Sequence, residues 1–279
     1  MTGNPPNAVP HSAARPEVIY RHRLPVRIMH WINVVCIVAL LGSGLQIFNA
    51  HPALYWGRDS RDSTRVLQIT QKQVGGDLRG VTRVGAAEFA TDGVLGTSRN
   101  PDGPGVAARA FPAWATLPSS QWLAMGRLWH FFFAWIFVAN GAAYLLWTIA
   151  SGHLRRDLVP TRAEWRGIGR SFIDHLLLRH PHGEAARRYN VLQNTAYLTL
   201  VFIVLPVIVV GGLAMSPMVD AFSPGWVDWF GGRQTLRTLH FIGAFLVVVF
   251  VLIHLFEVVV TGFANNLRSM ITGRWRLPK

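Results

Sequence analysis

Cysteine is all but missing from this sequence: Cys36 stands alone among 279 residues. One thiol allows no disulfide within the chain, no C-x-x-C cluster for an iron–sulfur centre and no C-x-x-C-H motif for covalent attachment of a prosthetic group. Charge is scarce too. Asp, Glu, Lys and Arg make up 15% of the chain, against about 25% in an ordinary soluble domain. Acidic residues are the rarer kind, 14 against 27 Lys and Arg. There is no glycine-rich nucleotide loop and no nucleophile triad, so no soluble catalytic class is indicated. The net charge of +13 does not point to nucleic acid, because no groove-reading motif accompanies it.

What is abundant is apolar sequence, 51% of the chain. It is gathered into four runs, residues 28–48, 129–150, 194–214 and 239–262, each near the roughly 20 residues that a membrane-crossing helix needs. The basic residues fall between them in an alternating pattern. Residues 1–27 carry four Arg, 151–193 eight Arg against four acids, and the tail from 263 three Arg and one Lys. The link 215–236 carries only Arg233. That is the positive-inside arrangement with both termini cytoplasmic. The expected fold is therefore all-α: a four-transmembrane-helix bundle, residues 21–279, behind a disordered tail, 1–20. The first span reads as a retained anchor, since no small-x-small cleavage site follows it. Residues 49–127 form a long outer loop with little periodicity, functional or disordered. Within it 111–126 reads as an interfacial segment with its Trp residues at headgroup level. Residues 151–193 form a cytoplasmic loop with a short amphipathic surface helix, and its His153, His175, His180 and His182 read as solvated loop histidines.

Four histidines lie within or at the edge of the spans: His30, His130, His240 and His254. Histidine in a membrane is costly and belongs to a functional site by default. His240 and His254 are 14 residues apart, which returns to within about 40° of the same helix face some 21 Å further along. Given the alternating direction of the spans, His30 and His254 share one membrane depth and His130 and His240 the other. Imidazole is a standard axial ligand of haem iron, and without C-x-x-C-H any haem is held non-covalently. Two bis-histidine, b-type haem sites follow: His30 with His254 on the cytoplasmic side, His130 with His240 on the outer side. The bland alternative is four unrelated polar residues of helix packing, which would not pair by depth.

Three of these histidines follow an arginine by three residues, the spacing of one helix face: Arg27, Arg127 and Arg237. Arg binds carboxylates in bidentate fashion, so Arg127 and Arg237 are candidates for the propionates of the outer haem and Arg27 for those of the inner one. The competing reading is arginine snorkelling to headgroups. Gly44, 14 residues after His30, and Gly141, 11 after His130, lie nearly in line with a histidine at the opposite depth; a flat porphyrin could pack there, or simply another helix. Glu257, three residues after His254, either borders a quinone pocket and exchanges the quinol proton or snorkels near the helix end. Pro206 and Gly211–Gly212 read as bend points of the third span.

RxxHW at the start of the first span, RLWHFFFAW in the second and RTLHF with HLF in the fourth resemble the bacterial di-haem cytochrome b family. That family includes membrane subunits of nickel–iron hydrogenases, formate dehydrogenases and thiosulfate reductases. GLQIFNAHPALYWG (44–57), FPAWATLP (111–118), GHLRRDL (152–158), GEAARRYNVLQ (183–193) and FGGRQTLRTLH (230–240) are similar to stretches of the thiosulfate-reductase group. The resemblance implies an inner-membrane electron-transfer subunit with two haem b groups. It would link the quinone pool to a periplasmic molybdopterin oxidoreductase, with a quinone site near the cytoplasmic haem. Two other classes compete. A stand-alone redox enzyme, oxidising superoxide or reducing quinone, needs no partner; a haem-free scaffold or transporter needs none of the histidines.

Overall fold

The computed structural model describes residues 17–101, 103–177 and 190–277. A short strand β1 (Val18–Tyr20) leads into the first long helix, α1 (Leu24–Phe48). Six strands follow: β2 (Ala53–Tyr55), β3 (Arg65–Val74), β4 (Asp77–Val84), β5 (Ala87–Ala90), β6 (Thr97–Arg99) and β7 (Val106–Ala108). The second long helix is α2 (Leu123–Ala150), then come α3 (Arg162–Arg166) and α4 (Ile168–Leu176). The third span joins α5 (Val191–Thr199), a π-helical turn (Leu200–Val204) and α6 (Leu205–Ala214). A short α7 (Pro217–Phe222) precedes the fourth long helix, α8 (Arg233–Val260), and the chain closes with α9 (Phe263–Thr272) and β8 (Arg274–Arg276).

By length and composition four helical segments suit a membrane crossing: Leu24–Phe48, Leu123–Ala150, Val191–Ala214 and Arg233–Val260. They contain or overlap the four expected runs. The α2 and α8 helices begin six residues earlier, because hydrogen-bonded turns continue past the apolar stretch to the polar Arg127 and Arg237 turns. Pro25 sits in the first turn of α1, where a missing N–H costs nothing. The α1 helix packs along α2, and α6 along α8. The outward faces are apolar: Val38, Leu146 and Leu252 are 69, 70 and 62% exposed, as lipid-facing side chains should be. Polar contacts lie between helices instead. Asn140 of α2 donates to the Met29 carbonyl at 2.9 Å and to Asn33 Oδ1 at 2.8 Å, an interhelical bond of the order of 1 kcal/mol.

The third span departs from a plain bend. Pro206 has no N–H and its ring crowds the preceding turn. The helix answers by widening: the Leu205 N–H bonds to the Leu200 carbonyl, five residues back.

The loop 49–127, whose lack of periodicity left it open as functional or disordered, is ordered. It folds as a four-stranded antiparallel sheet in the order β2-β3-β4-β5 and a two-stranded ribbon, β6-β7. The β3–β4 hairpin turns through Gly75–Gly76, with φ of 60° and 91° between paired Val74 and Asp77. That positive-φ pair is what a two-residue hairpin demands. Leu54, Ile69 and Ala110 are buried together against Phe48 at the end of α1, with Phe241 of α8 packed alongside. Arg109, only 4% exposed, is satisfied by the carbonyls of Phe111 (2.7 Å) and Ser119 (2.9 Å) and by Thr116 Oγ1 (2.9 Å), as a buried charge must be. The sheet is tied to α8 as well. The Gly57 carbonyl accepts from Gln234 N–H and Thr235 N–H at 3.0 and 3.2 Å, filling donors left open at the helix start. Thr238 Oγ1 donates to the Tyr55 carbonyl at 2.7 Å.

The opposite end of the bundle carries both described termini. Val18–Tyr20 pair antiparallel with Arg274–Arg276, so the expected tail through residue 20 is corrected at its last three residues; residues 1–16 lie outside the described ones. Arg21 stacks over the buried Trp275 ring at 4.3 Å. Trp31 Nε1 donates to the Met270 carbonyl at 3.2 Å, holding α9 against α1. The bundle thus has a sheet end and a terminal end. The loop 151–193 carries α3, with a capping box between Thr161 and Glu164, and α4; His180 and His182 lie outside the described residues.

Candidate metal centres

The bundle brings the four histidines together in two pairs. At the sheet end the His130 and His240 ring centroids are 6.2 Å apart with planes at 60°. At the terminal end the corresponding figures for His30 and His254 are 6.3 Å and 60°. Two metal–imidazole bonds of about 2 Å each, with about 1.1 Å from nitrogen to ring centre, place two axial imidazoles of one iron roughly 6 Å apart, centre to centre. Both pairs meet that spacing. Among the described residues no group of three or more His, Cys, Asp or Glu surrounds either pair; two opposed nitrogen ligands are what the open axial positions of a porphyrin require.

The sheet-end pair is held from behind. His130 Nδ1 lies 3.1 Å from Ser43 Oγ. The Ser43 hydroxyl donates to the Ala39 carbonyl at 2.6 Å, so its lone pair faces the ring and the imidazole N–H is the donor. His240 Nδ1 donates to the Ile208 carbonyl at 2.7 Å. Each ring also leans on a glycine. A Cβ on Gly44 would stand 3.4 Å from His130 Cε1, and one on Gly212 3.4 Å from His240 Cε1. A Cβ on Gly211 would come within 2.8 Å of His240 Cβ and of the Leu236 carbonyl. The Gly211–Gly212 pair is therefore a seat for His240 rather than the bend expected of it; Pro206 and its π turn carry the irregularity. Gly44 lies at its expected depth but touches the histidine itself. A Cβ on Gly141 would meet nothing within 4 Å.

The terminal-end pair is held differently. His254 lies parallel to Phe250, 6.0 Å between centres and 2° between planes, and Tyr197 of α5 meets Phe250 edge-on at 5.8 Å. His30 Nδ1 is buried without a hydrogen-bond partner.

The three arginines also part company. Arg27 Nε is buried and unpartnered one turn from His30. A buried guanidinium donor without an acceptor costs energy unless a carboxylate reaches it, and this is the observation that fits the propionate edge of a haem. Arg237 donates to the carbonyls of Ala53 (2.9 Å) and His51 (2.6 Å) and lies over the Phe48 ring at 5.7 Å, so part of its donor set fastens the sheet to α8. Arg127 is exposed, 5.8 Å above the Phe131 ring. Glu257 is half-buried, one turn beyond His254. Outside the spans, His22 is pushed down to about 4 by burial and then by Arg21, His30 and Arg27. His51 is lowered by burial and Arg237. Both are neutral at pH 7.

Paired imidazoles at axial spacing, set in a four-helix apolar bundle, match one known family in sequence: the pattern of prokaryotic cytochrome b561 covers residues 21–273. The chain belongs to the prokaryotic cytochrome b561 family. It is thus a b-type cytochrome of the membrane, an electron carrier built to hold haem without covalent attachment. A putative protein-methionine-sulfoxide reductase subunit, YedZ1, of Azospira oryzae is 33% identical over 152 residues, 54% of this chain and 73% of that protein. A probable Ni/Fe-hydrogenase B-type cytochrome subunit of Rhodobacter capsulatus is 23% identical over 287 residues, 98% of this chain and 87% of that protein. No solved structure matches the chain.

Sequence reasoning missed Ser43, the Ile208 carbonyl, Gly212 and Phe250. Ser43 left one readable trace, a lone hydroxyl beside Gly44 in an apolar run. Gly212 was visible but had two meanings. A carbonyl oxygen has no letter in the sequence.

Proposed function

We propose that this cytochrome is a di-haem conduit in a bacterial inner membrane, with both termini cytoplasmic. It carries electrons between the quinone pool and a periplasmic redox subunit, of the molybdopterin oxidoreductase class, in a respiratory chain. The carrying observation is the pair of histidine pairs, equal in spacing and plane angle and set at opposite ends of one bundle. The alternating basic loops support the orientation. The two relatives are each named as a subunit, which supports a partner. So does the folded sheet fixed to α8 directly above His240, a surface that a haem-only conduit has no need of.

Haem bound between two histidines would supply one-electron transfer. The chain's own residues do the rest. His130 and His240 would hold the outer iron, His30 and His254 the inner one. Ser43 and the Ile208 carbonyl fix the outer rings. Arg27 would donate to the inner propionates and Arg127 to the outer ones, Arg237 joining it only with the donors it does not give to the sheet, and the apolar helix faces exclude water. Glu257, one helical turn beyond His254, would exchange protons with a quinol. The stand-alone redox enzyme remains the second reading, and activity of the purified chain without any partner distinguishes it.

The test is haem content per polypeptide with a reduced-minus-oxidised spectrum. Two b-type haems in the unaltered chain, with one lost in His130→Ala and the other in His254→Ala, is the expected result. One haem breaks a pairing, and none overturns the reading.

A further inference from the structure

We infer that Ser43 and the Ile208 carbonyl set the sheet-end haem at a lower reduction potential than the terminal-end haem, so that electrons run downhill from the sheet end to the terminal end. The inference rests on the two-haem reading above. It adds a direction that neither the histidine positions nor the relatives supply.

The donor strength of each imidazole is set from behind its ring. An oxygen acceptor on Nδ1–H draws the proton toward itself and makes the opposite nitrogen a stronger electron donor. A stronger donor favours the higher charge on iron and so lowers the potential. At the sheet end both rings have such an acceptor. Ser43 Oγ is 3.1 Å from His130 Nδ1, and its own proton is engaged by the carbonyls of Ala39 and Leu40, so Ser43 acts as acceptor, beside the Leu40 carbonyl that also bonds the His130 ring. Ile208 takes the His240 N–H at 2.7 Å. Gly212 leaves the α6 surface bare enough for the ring to reach that carbonyl.

At the terminal end neither device is present. His30 Nδ1 is buried with no acceptor. His254 has an aromatic face against it, Phe250, and no acceptor lies on its ring among the described residues. Weaker donors favour the reduced iron. Arg27, half-buried and with its Nε unpartnered one turn from His30, adds positive charge that favours it further. Glu257, when ionised, works the other way. It lies one helical turn from His254, whereas the hydrogen bonds at the sheet end act on the metal ligands themselves, so the ligand bonds decide the order.

The electron balance is simple. One electron leaves the sheet-end site and one arrives at the terminal-end site, with no bond made or broken. A donor on the sheet side supplies it, and an acceptor at the terminal end, of the quinone class in the reading above, removes it.

The experiment is a redox titration of the purified full chain in lipid nanodiscs, followed by haem absorbance, for the unaltered protein, H130A, H254A, S43A and S43C. Two steps are expected. H130A should lose the lower step and H254A the higher one. S43A should raise the lower step, seen as a several-fold larger reduced fraction at a fixed ambient potential, and leave the higher step in place. S43C, with a weaker acceptor, should fall between and decides the matter if S43A sheds its haem. Loss of the higher step in H130A overturns the order. A lower step unmoved in both Ser43 variants overturns the role of Ser43, which a merely structural hydroxyl would also leave unmoved. Fewer than two steps in the unaltered chain overturns the two-haem reading itself.

Discussion

At the sheet end both imidazoles are tied through Nδ1, to Ser43 and to Ile208, and each rests on a glycine. At the terminal end one ring is stacked on Phe250 and the other has a buried nitrogen with no partner. The ring spacing is nonetheless the same, 6.2 and 6.3 Å. Equal geometry is therefore reached by two routes. The sheet-end site is preorganised by hydrogen bonds that exist before any ligand arrives. On the two-haem reading the terminal-end site would depend on its haem to satisfy Arg27 and to fix His30.

The largest effects should come from removing the rings themselves. His240→Ala should abolish one haem and spare the other, and His30→Ala should do the same at the other end. Haem per chain falls from two to one in each case, read from the pyridine haemochrome spectrum. If the comparison is right, the survivors differ: the site left by His30→Ala should resist haem extraction, and the site left by His240→Ala should give up its haem more readily.

Next come the glycine seats. Gly211→Val places side-chain atoms within 2.8 Å of His240 Cβ and the Leu236 carbonyl, and backbone cannot yield cheaply. The sheet-end haem should be lost and α6 pushed off α8, at a cost of roughly 1–3 kcal/mol or more for such overpacking. Gly44→Ala meets His130 at 3.4 Å, ordinary contact, and should be tolerated. A Gly141→Ala variant has nothing to strike within 4 Å, so in it a change in haem binding would reveal a porphyrin in that space. Among the described residues no glycine forms such a seat for His30 or His254, so the steric sensitivity should be one-sided.

Arg27→Ala tests the dependence of the terminal end on its ligand. A charge-assisted hydrogen bond contributes about 1.5–3 kcal/mol, so terminal-end haem should bind about 10- to 100-fold more weakly, measured by haem transfer to an apo-globin acceptor. Arg237→Ala should instead loosen the sheet, because its donors hold the carbonyls of His51 and Ala53. Faster proteolysis within residues 49–127, with sheet-end haem largely retained, would separate the two arginine roles.

The contrast also marks what a sequence can and cannot carry. His30, His130, His240 and His254 were legible because an imidazole in a membrane run is expensive and because 14 residues is close to a whole number of turns. The four spans were legible for the same reason of length and apolarity. The supports behind the rings were not: one is a main-chain carbonyl, and Gly211–Gly212 looks alike whether it bends a helix or admits a ring. The sheet in 49–127 did leave a signal. VLQITQKQV and DLRGVTRV flank Gly75–Gly76, two β-prone runs around a diglycine turn, but weight on the polar composition of the loop hid them. The strand Val18–Tyr20 had no such signal, since its partner lies at the other end of the chain.

The smallest effect expected is one of pH, and it again separates the ends. His22 sits beside the terminal ribbon, and its N–H approaches the Gly273 carbonyl at 3.4 Å. Burial, then Arg21, His30 and Arg27, lower it from 6.5 to about 4. The neutral form is the one that fits, so the open ribbon binds a proton more readily than the closed one. The contribution of His22 to closure is thus whole above pH 6.5 and is lost progressively as the pH falls toward 4. Amide exchange at Val18–Tyr20 and Arg274–Arg276, corrected for intrinsic rates, should rise relative to the sheet amides across that window. In His22→Gln the rise should vanish, since no proton is taken up on opening. At the sheet end His51 is lowered as well, by burial and Arg237, but its contribution to the fold there is one of many: Phe48, Leu54, Ile69 and Ala110 close the same junction without titrating. Exchange of β3–β4 amides should therefore stay flat where the ribbon opens. A parallel rise at both ends would mean that acid acts on the bundle as a whole and not through His22.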